Sequence, residues 1–244
     1  MKLKYLILGL FALMVFNSCG GDSDEEISTP DPTSADIRGS VNLYDEGTTE
    51  IDNSDMTIRL EGSSKTAMTD DNGDFILSDV PFGTYTVIYE KSGYGTFKSF
   101  GIGHRNGNTT ISNTPSLGQT SSTTITNLAA SEESGTITIA TTLDPEANNS
   151  NTRYIRYFFS TESNVSNENY EAVLDTFGAQ INPYNLTLTT ASLEALGFQG
   201  GQTVYVICYG ESFWSNQYDD PDLDFTVFPN LNSNTSGAIS FVVP

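Results

Sequence analysis

One histidine, one tryptophan and two cysteines among 244 residues leave little from which to build a catalytic centre, and ten lysines and arginines face 31 aspartates and glutamates. Each shortage excludes something. Ser-His-Asp hydrolysis needs an imidazole placed to take the hydroxyl proton. The only one, His104, falls in the turn-rich segment Gly101 to Gly107, reads as a surface-loop residue and has no nucleophile elbow beside it. Zinc chemistry fails for the same lack of nitrogen and sulfur ligands. Paired carboxylates for glycoside hydrolysis are uninformative, because so many acids place some pair at a suitable separation by chance. Size argues against them, since a cleft with several subsites needs more framework than a small domain offers.

The scarcity of cations gives a formal net charge of −21. Such a surface repels nucleic-acid phosphate and anionic headgroups, so nucleic acid is excluded as a partner while cations and neutral ligands remain open. Long apolar runs are scarce too. The longest, Tyr5 to Phe16, is broken only by Gly9; at about 12 residues it falls short of the roughly 20 that span a bilayer as a helix.

What is present at the start fits export. Lys2 and Lys4 precede that apolar run, and small Ser18 precedes Cys19, the pattern of a cleavable signal segment over residues 1–18. Phe16-Asn17-Ser18-Cys19 resembles a lipobox, the tetrapeptide after which bacterial lipoproteins are cut and acylated, and Gly20-Gly21-Asp22-Ser23-Asp24-Glu25-Glu26 resembles the surface-export signal of Bacteroidetes lipoproteins. The resemblance implies a lipid on Cys19, anchorage in the outer membrane and exposure at the cell surface. Cys208 then has no disulfide partner. It lies in the apolar stretch Val204 to Tyr209, where a thiol packs as a small hydrophobe, so the domains are held by their cores.

Residues 19–35, acidic and carrying Pro30 and Pro32, are too polar to fold and read as a flexible tether. Period-two alternation follows over 36–114, in Val41 and Leu43, then Met56, Ile58 and Leu60, then Phe75 and Leu77, then Tyr85, Val87 and Tyr89. Turn residues separate the runs, notably Asp71-Asn72-Gly73-Asp74 and Pro81-Phe82-Gly83. A second alternating set runs over 115–244 through Ile137 and Ile139, Ile155 to Phe159, Leu186 and Leu188, Val204 to Tyr209, and Ile239 to Val243. The fold class expected is all-β, with two tandem β-sandwiches.

The first of these resembles the carboxypeptidase regulatory-like domain, a transthyretin-like sandwich grouped with carbohydrate-binding folds. The resemblance rests on Ile37-Arg38-Gly39-Ser40-Val41, Thr69 to Phe75, Val80-Pro81-Phe82-Gly83-Thr84-Tyr85 and Gly93-Tyr94, in that family's order and spacing. It implies a module that holds partners or glycans without reacting with them. Leu193 with Gly197, Gly200, Gly201 and Tyr205 is similar to the turn before the sixth strand of fibronectin type III domains, where a tyrosine closes the corner. Ser192 to Leu196 fits one helical turn.

Glu211 to Thr235 is long for a connection, and long connections in compact domains are commonly functional. Within it Phe213, Trp214 and Tyr218 stand beside Asn216 and Gln217, the mixture a sugar site uses: flat rings for the apolar sugar face, amides for its hydroxyls. The same residues also suit a segment folded back over a sheet edge with its rings buried, the commoner fate of a lone tryptophan. Two runs present alternating side-chain oxygens that suit calcium: Asp70, Asn72 and Asp74, and Asp220, Asp222 and Asp224. Neither has EF-hand spacing, and the commoner account is hairpin turn chemistry for the first and a solvated loop for the second. The functional expectation is a non-catalytic envelope lipoprotein acting as a binding or spacer module. Beside it stand a glycan-binding accessory role and a structural role alongside outer-membrane proteins, with no cofactor required and calcium open.

Overall fold

A computed structural model describes residues 32–244, which form one compact unit; the signal segment, Cys19 and the acidic run after it lie outside the described residues. The first sandwich is built from β1 (Ser34–Ser40), β2 (Asn42–Tyr44), β3 (Thr57–Leu60), β4 (Thr66–Met68), β5 (Asp74–Pro81), β6 (Gly83–Glu90), β7 (Phe97–His104), β8 (Thr109–Thr110) and β9 (Ser116–Gly118). One sheet runs β4-β3-β6-β7 and the other β5-β1-β8, with β2 and β9 forming a short parallel ladder. The alternation read from sequence is the reason: Met56, Ile58, Leu60, Phe75, Leu77 and Val87 all point into one core, while Asp74 and Ile76 face out.

The turn between β4 and β5 crosses from one sheet to the other and is not the hairpin its residues suggested, and its own side chains fix it. Asp70 Oδ1 accepts hydrogen bonds from the backbone N–H of Asn72 at 2.9 Å and of Asp74 at 3.0 Å, so this carboxylate serves the turn. Gly73 sits at φ 82°, and a Cβ there would lie 2.0 Å from the Val41 carbonyl oxygen. Two bounds differ from the alternation. Order starts at Ser34, inside the segment expected as tether, because Ser34 and Ala35 pair with Pro81 and Val80. At the other end Leu117 belongs to the first core, so that sandwich continues past residue 114.

The second sandwich comprises β10 (Thr124–Glu133), β11 (Thr136–Asp144), β12 (Arg153–Ser160), β13 (Ala172–Val173), β14 (Phe177–Ala179), β15 (Tyr184–Thr189), α1 (Thr190–Ala195), β16 (Thr203–Glu211), β17 (Tyr218–Asp220), β18 (Phe225–Val227) and β19 (Ile239–Val242). Sheets β10-β11-β15 and β13-β12-β16-β19, the latter with β14 also on β12, face each other across a core containing Ile137, Ile139, Tyr157, Phe159, Val206 and Cys208. The helical turn is capped by Thr189, whose Oγ1 accepts from Ser192 N–H at 3.2 Å.

A third layer covers the outer face of β12 and β16. Phe158, Ile207 and Tyr209 are buried there against Val165 and Phe228, and the Phe158 ring meets Tyr170, Tyr209 and Phe228 edge-on at 5.2, 5.7 and 5.2 Å. Both faces of these strands are therefore dry, which is why Val204 to Tyr209 is apolar without alternation. Tyr205 turns to this outer face and packs with the Phe158 cluster, so it does not close a corner as the fibronectin-like reading expected. No helix among the described residues is long and apolar enough to cross a membrane.

Candidate binding site

The long segment from Glu211 folds onto the first sandwich and holds it. Asn216, buried in the irregular segment after β16, accepts from Gly118 N–H at 2.8 Å through Oδ1 and donates through Nδ2 to Gly118 O and to Asn230 Oδ1, both at 3.0 Å. Asn230, with no exposed surface, donates to Gly118 O at 3.0 Å and Trp214 O at 2.8 Å, and accepts from Gly95 N–H at 2.9 Å. These two amides thus replace a sheet ladder between backbones that no strand joins, and the donors of both amides are matched. The close approach depends on glycine: a Cβ on Gly95 would lie 2.3 Å from Pro229 O, and one on Gly118 2.6 Å from Trp214 O.

The acidic connection between β2 and β3 grips from the other side. Glu46 O accepts from Phe213 N–H at 2.9 Å, while its carboxylate accepts from Ser122 N–H at 2.9 Å and pairs with Arg153 at 3.0 Å. Ser212 Oγ donates to the Gln119 carbonyl.

The aromatic residues picked out in the sequence divide at this junction. Trp214 lies against Tyr44, with ring centroids 5.0 Å apart, and its Nε1–H is sealed from solvent with no acceptor among the described residues. Tyr218 packs on Phe97 and Phe100 at 6.0 and 5.9 Å. Both rings are half-buried interdomain contacts, the sheet-covering alternative in a modified form: what they cover is the neighbouring sandwich. Asn216 spends its whole amide inside the clamp and presents nothing to a ligand. Phe213 remains 45% exposed, and Gln217 is exposed as well.

Those two side chains border a cleft of about 400 Å³ between the sandwiches, walled by residues 113–117 on one side and 213–217 on the other, with Phe97 also in its lining. None of its lining side chains carries a charge, in a chain of net charge −21. Hydroxyls and amides of Asn113, Thr114, Ser116, Ser215 and Gln217 supply its polarity. Gln217 Oε1 is fixed by Arg156 Nη2 at 3.0 Å and Ser215 Oγ at 3.1 Å. That leaves its NH₂ end as the donor for anything seated in the cleft.

Arg156 is the residue the sequence reading missed. Buried on β12, its guanidinium also donates to Glu211 Oε2 at 3.1 Å, Leu174 O at 3.1 Å and Thr176 Oγ1 at 2.7 Å, and lies 4.7 Å from the Phe228 ring centroid. Glu211 has no exposed surface, and burial pushes its carboxyl up to about 7 against the opposing pull of Arg156. A charge inside an otherwise apolar strand must be paired to be tolerated, so Arg156 in Arg153–Ser160 was the available signal, and the acid ending the next apolar strand was its natural partner.

The reactive groups are placed elsewhere. His104 is buried, correcting its reading as a surface-loop residue: it ends β7 beneath the Phe82 ring at 5.1 Å. Its Nε2 meets the Val80 carbonyl at 3.1 Å and its Nδ1 the Thr109 hydroxyl at 2.7 Å. A carbonyl only accepts, so Nε2 donates to it, and with Nδ1 on the Thr109 hydroxyl neither nitrogen is left for a substrate. Cys208 is buried in the second core, and burial pushes its thiol well up from the ordinary range. Asp220 is buried; its Oδ1 accepts from Asp222 N–H at 3.0 Å and its Oδ2 lies 3.7 Å from Lys98 of the first sandwich. Asp222 and Asp224 stay exposed, and no group of three or more His, Cys, Asp or Glu among the described residues is arranged to hold a metal ion.

No protein-family model and no curated protein sequence matches the chain. Solved structures do. A candidate carbohydrate-binding protein from Bacteroides uniformis aligns over 88% of this chain and 100% of its own at 17% identity and a TM-score of 0.31. A DUF3823 family protein from Bacteroides ovatus aligns over 86% of this chain and 100% of its own at 16% identity and a TM-score of 0.31. A cohesin–X–dockerin complex from Acetivibrio cellulolyticus aligns over 36% of this chain and 59% of its own at 23% identity and a TM-score of 0.30.

Proposed function

We propose that this chain is a non-catalytic binding module of the bacterial cell envelope, held on the outer membrane through a lipid on Cys19, with a neutral glycan as the ligand of its interdomain cleft. The observation that carries the reading is the uncharged lining of that cleft in so acidic a protein, with the open ring of Phe213 beside hydroxyls and a free amide end. A sugar has an apolar face and a rim of hydroxyls, which such a wall matches without the desolvation of a charge. A non-catalytic role is supported by the fate of the reactive side chains: His104, Cys208 and the Arg156–Glu211 pair are all buried and committed to bonds within the fold. The first sandwich's likeness to carboxypeptidase regulatory-like domains, carried by its sequence motifs, agrees with a module that holds rather than turns over.

Two measurements test this. Radiolabelled palmitate fed to a bacterial host should enter the wild-type protein and not Cys19→Ala, which should be released from the membrane; equal labelling refutes the anchor. On an array of neutral polysaccharides the mature protein should be retained on at least one glycan, and Phe213→Ala should weaken that retention about tenfold while the melting temperature holds. Retention on none of them removes the glycan reading. The clamp at Asn216 and Asn230 favours one second reading, a rigid spacer that keeps another envelope protein at a fixed distance, and that reading then gains.

A further inference from the structure

The geometry points to an extended ligand: a neutral oligosaccharide chain that runs from the interdomain cleft into a second hollow on the open side of the first sandwich. This rests on the glycan reading of the cleft and goes beyond it. The second hollow, about 260 Å³, lies between the two edge strands β7 and β8, walled by Ser99, residues 101–103 and residues 109–113. Asn113 lines both hollows, so the two meet at that side chain. Along β7 the wall passes from Phe97 in the first hollow to Ser99, Gly101 and Gly103 in the second.

Three features favour a sugar chain there. The second hollow is also free of charged side chains, offering Ser99, Thr109, Thr110, Ser112 and Asn113 as hydrogen-bonding groups. Its floor is open, since a Cβ on Gly101 or Gly103 would meet nothing within 4 Å. And the edge is unsuited to the rival occupant, an added peptide strand. The β6–β7 register shifts between Tyr85 and Val87, which puts a bulge opposite them, and Gly101 sits at φ 70°. A bulged, twisted edge interrupts the regular ladder that strand addition needs. A flexible chain of pyranose rings needs no such ladder.

Gly103 makes the test clean. It lies outside the positive-φ set and has free space above it, so Gly103→Leu fills the hollow without backbone strain. Thr110→Trp, on the facing strand, is a second blocking variant should the first lose its melting transition. Binding is measured by calorimetry on the mature protein, using a neutral disaccharide and the hexasaccharide of the same linkage, chosen from the glycan that retains the protein on the array. The hexasaccharide is expected to bind at least about tenfold tighter, and either blocking variant to remove that advantage while leaving the disaccharide unchanged. Equal binding of the two lengths, or a hexasaccharide advantage that survives both folded blocking variants, overturns the extension while the cleft reading stands. Binding of neither sugar overturns both.

Discussion

Asn216 Nδ2 donates to Asn230 Oδ1 at 3.0 Å, and around this one side-chain contact two sandwiches are bolted together. The two asparagines are 14 residues apart, yet their other partners at Gly118 and Gly95 lie 98 to 135 residues away.

Asn230→Ala should expose how much of the fold depends on that contact. It strips Gly95 N–H and Trp214 C=O of their partners inside a dry junction, at about 1 to 3 kcal/mol for each orphaned group. A loss near 3 kcal/mol in urea-denaturation free energy is expected; a change under about 0.5 kcal/mol would mean that water reaches the junction.

Gly95→Ala tests the same interface by crowding. Its Cβ would meet Pro229 O at 2.3 Å, so the sandwiches must part or the segment must shift. A larger radius of gyration by small-angle scattering and faster proteolysis near 119–124 are expected. Gly103→Ala, whose Cβ meets nothing, is the control and should change neither.

Glu211 sets a pH dependence. Its carboxyl, raised by burial to about 7, holds its proton more tightly in the native protein than in the unfolded chain. The stabilisation is therefore complete below the unfolded value near 4.5 and lost as pH rises through about 7. Asp36, Asp52 and Glu90, lowered by their hydrogen-bond partners, act at more acid pH and leave this window clear. Urea midpoints should fall from pH 5 to 8 in the wild type and flatten over that range in Glu211→Gln. Parallel slopes in the two proteins would contradict it.

Trp214 and Phe213 are neighbours with opposite roles, their rings 5.1 Å apart. Trp214→Ala empties the contact with Tyr44 and should cost about 2 to 3 kcal/mol. Phe213→Ala, on an exposed ring, should stay within about 1 kcal/mol. Thermal melts of the two variants decide, and equal losses would show that Phe213 is also part of the clamp.

Alternation in Met56, Ile58 and Leu60 or in Phe75 and Leu77 is legible because one face is wet and the other dry, a contrast that a sequence records directly. Val204 to Tyr209 gives no such contrast, since the layer around Phe228 and Val165 arrives from distant segments and dries the second face. Trp214, Asn216 and Gln217 were readable as a cluster, but rings and amides serve a sugar and a domain interface equally well. Only partners supplied by Gly118 and Tyr44, far away in the chain, separate the two uses. His104 deceives for the same reason: glycines on either side suggest exposure, while Val80 and Phe82 come from the end of β5 and the β5–β6 connection to bury it.

Bolted at Asn230, the body acts as a lever and not as beads on a string. A tug applied near Pro244 is passed toward Ser34 through the amides of Asn216 and Asn230, so the two halves turn together and resist being pried apart. The walls at 113–117 and 213–217 keep their spacing as the body tumbles.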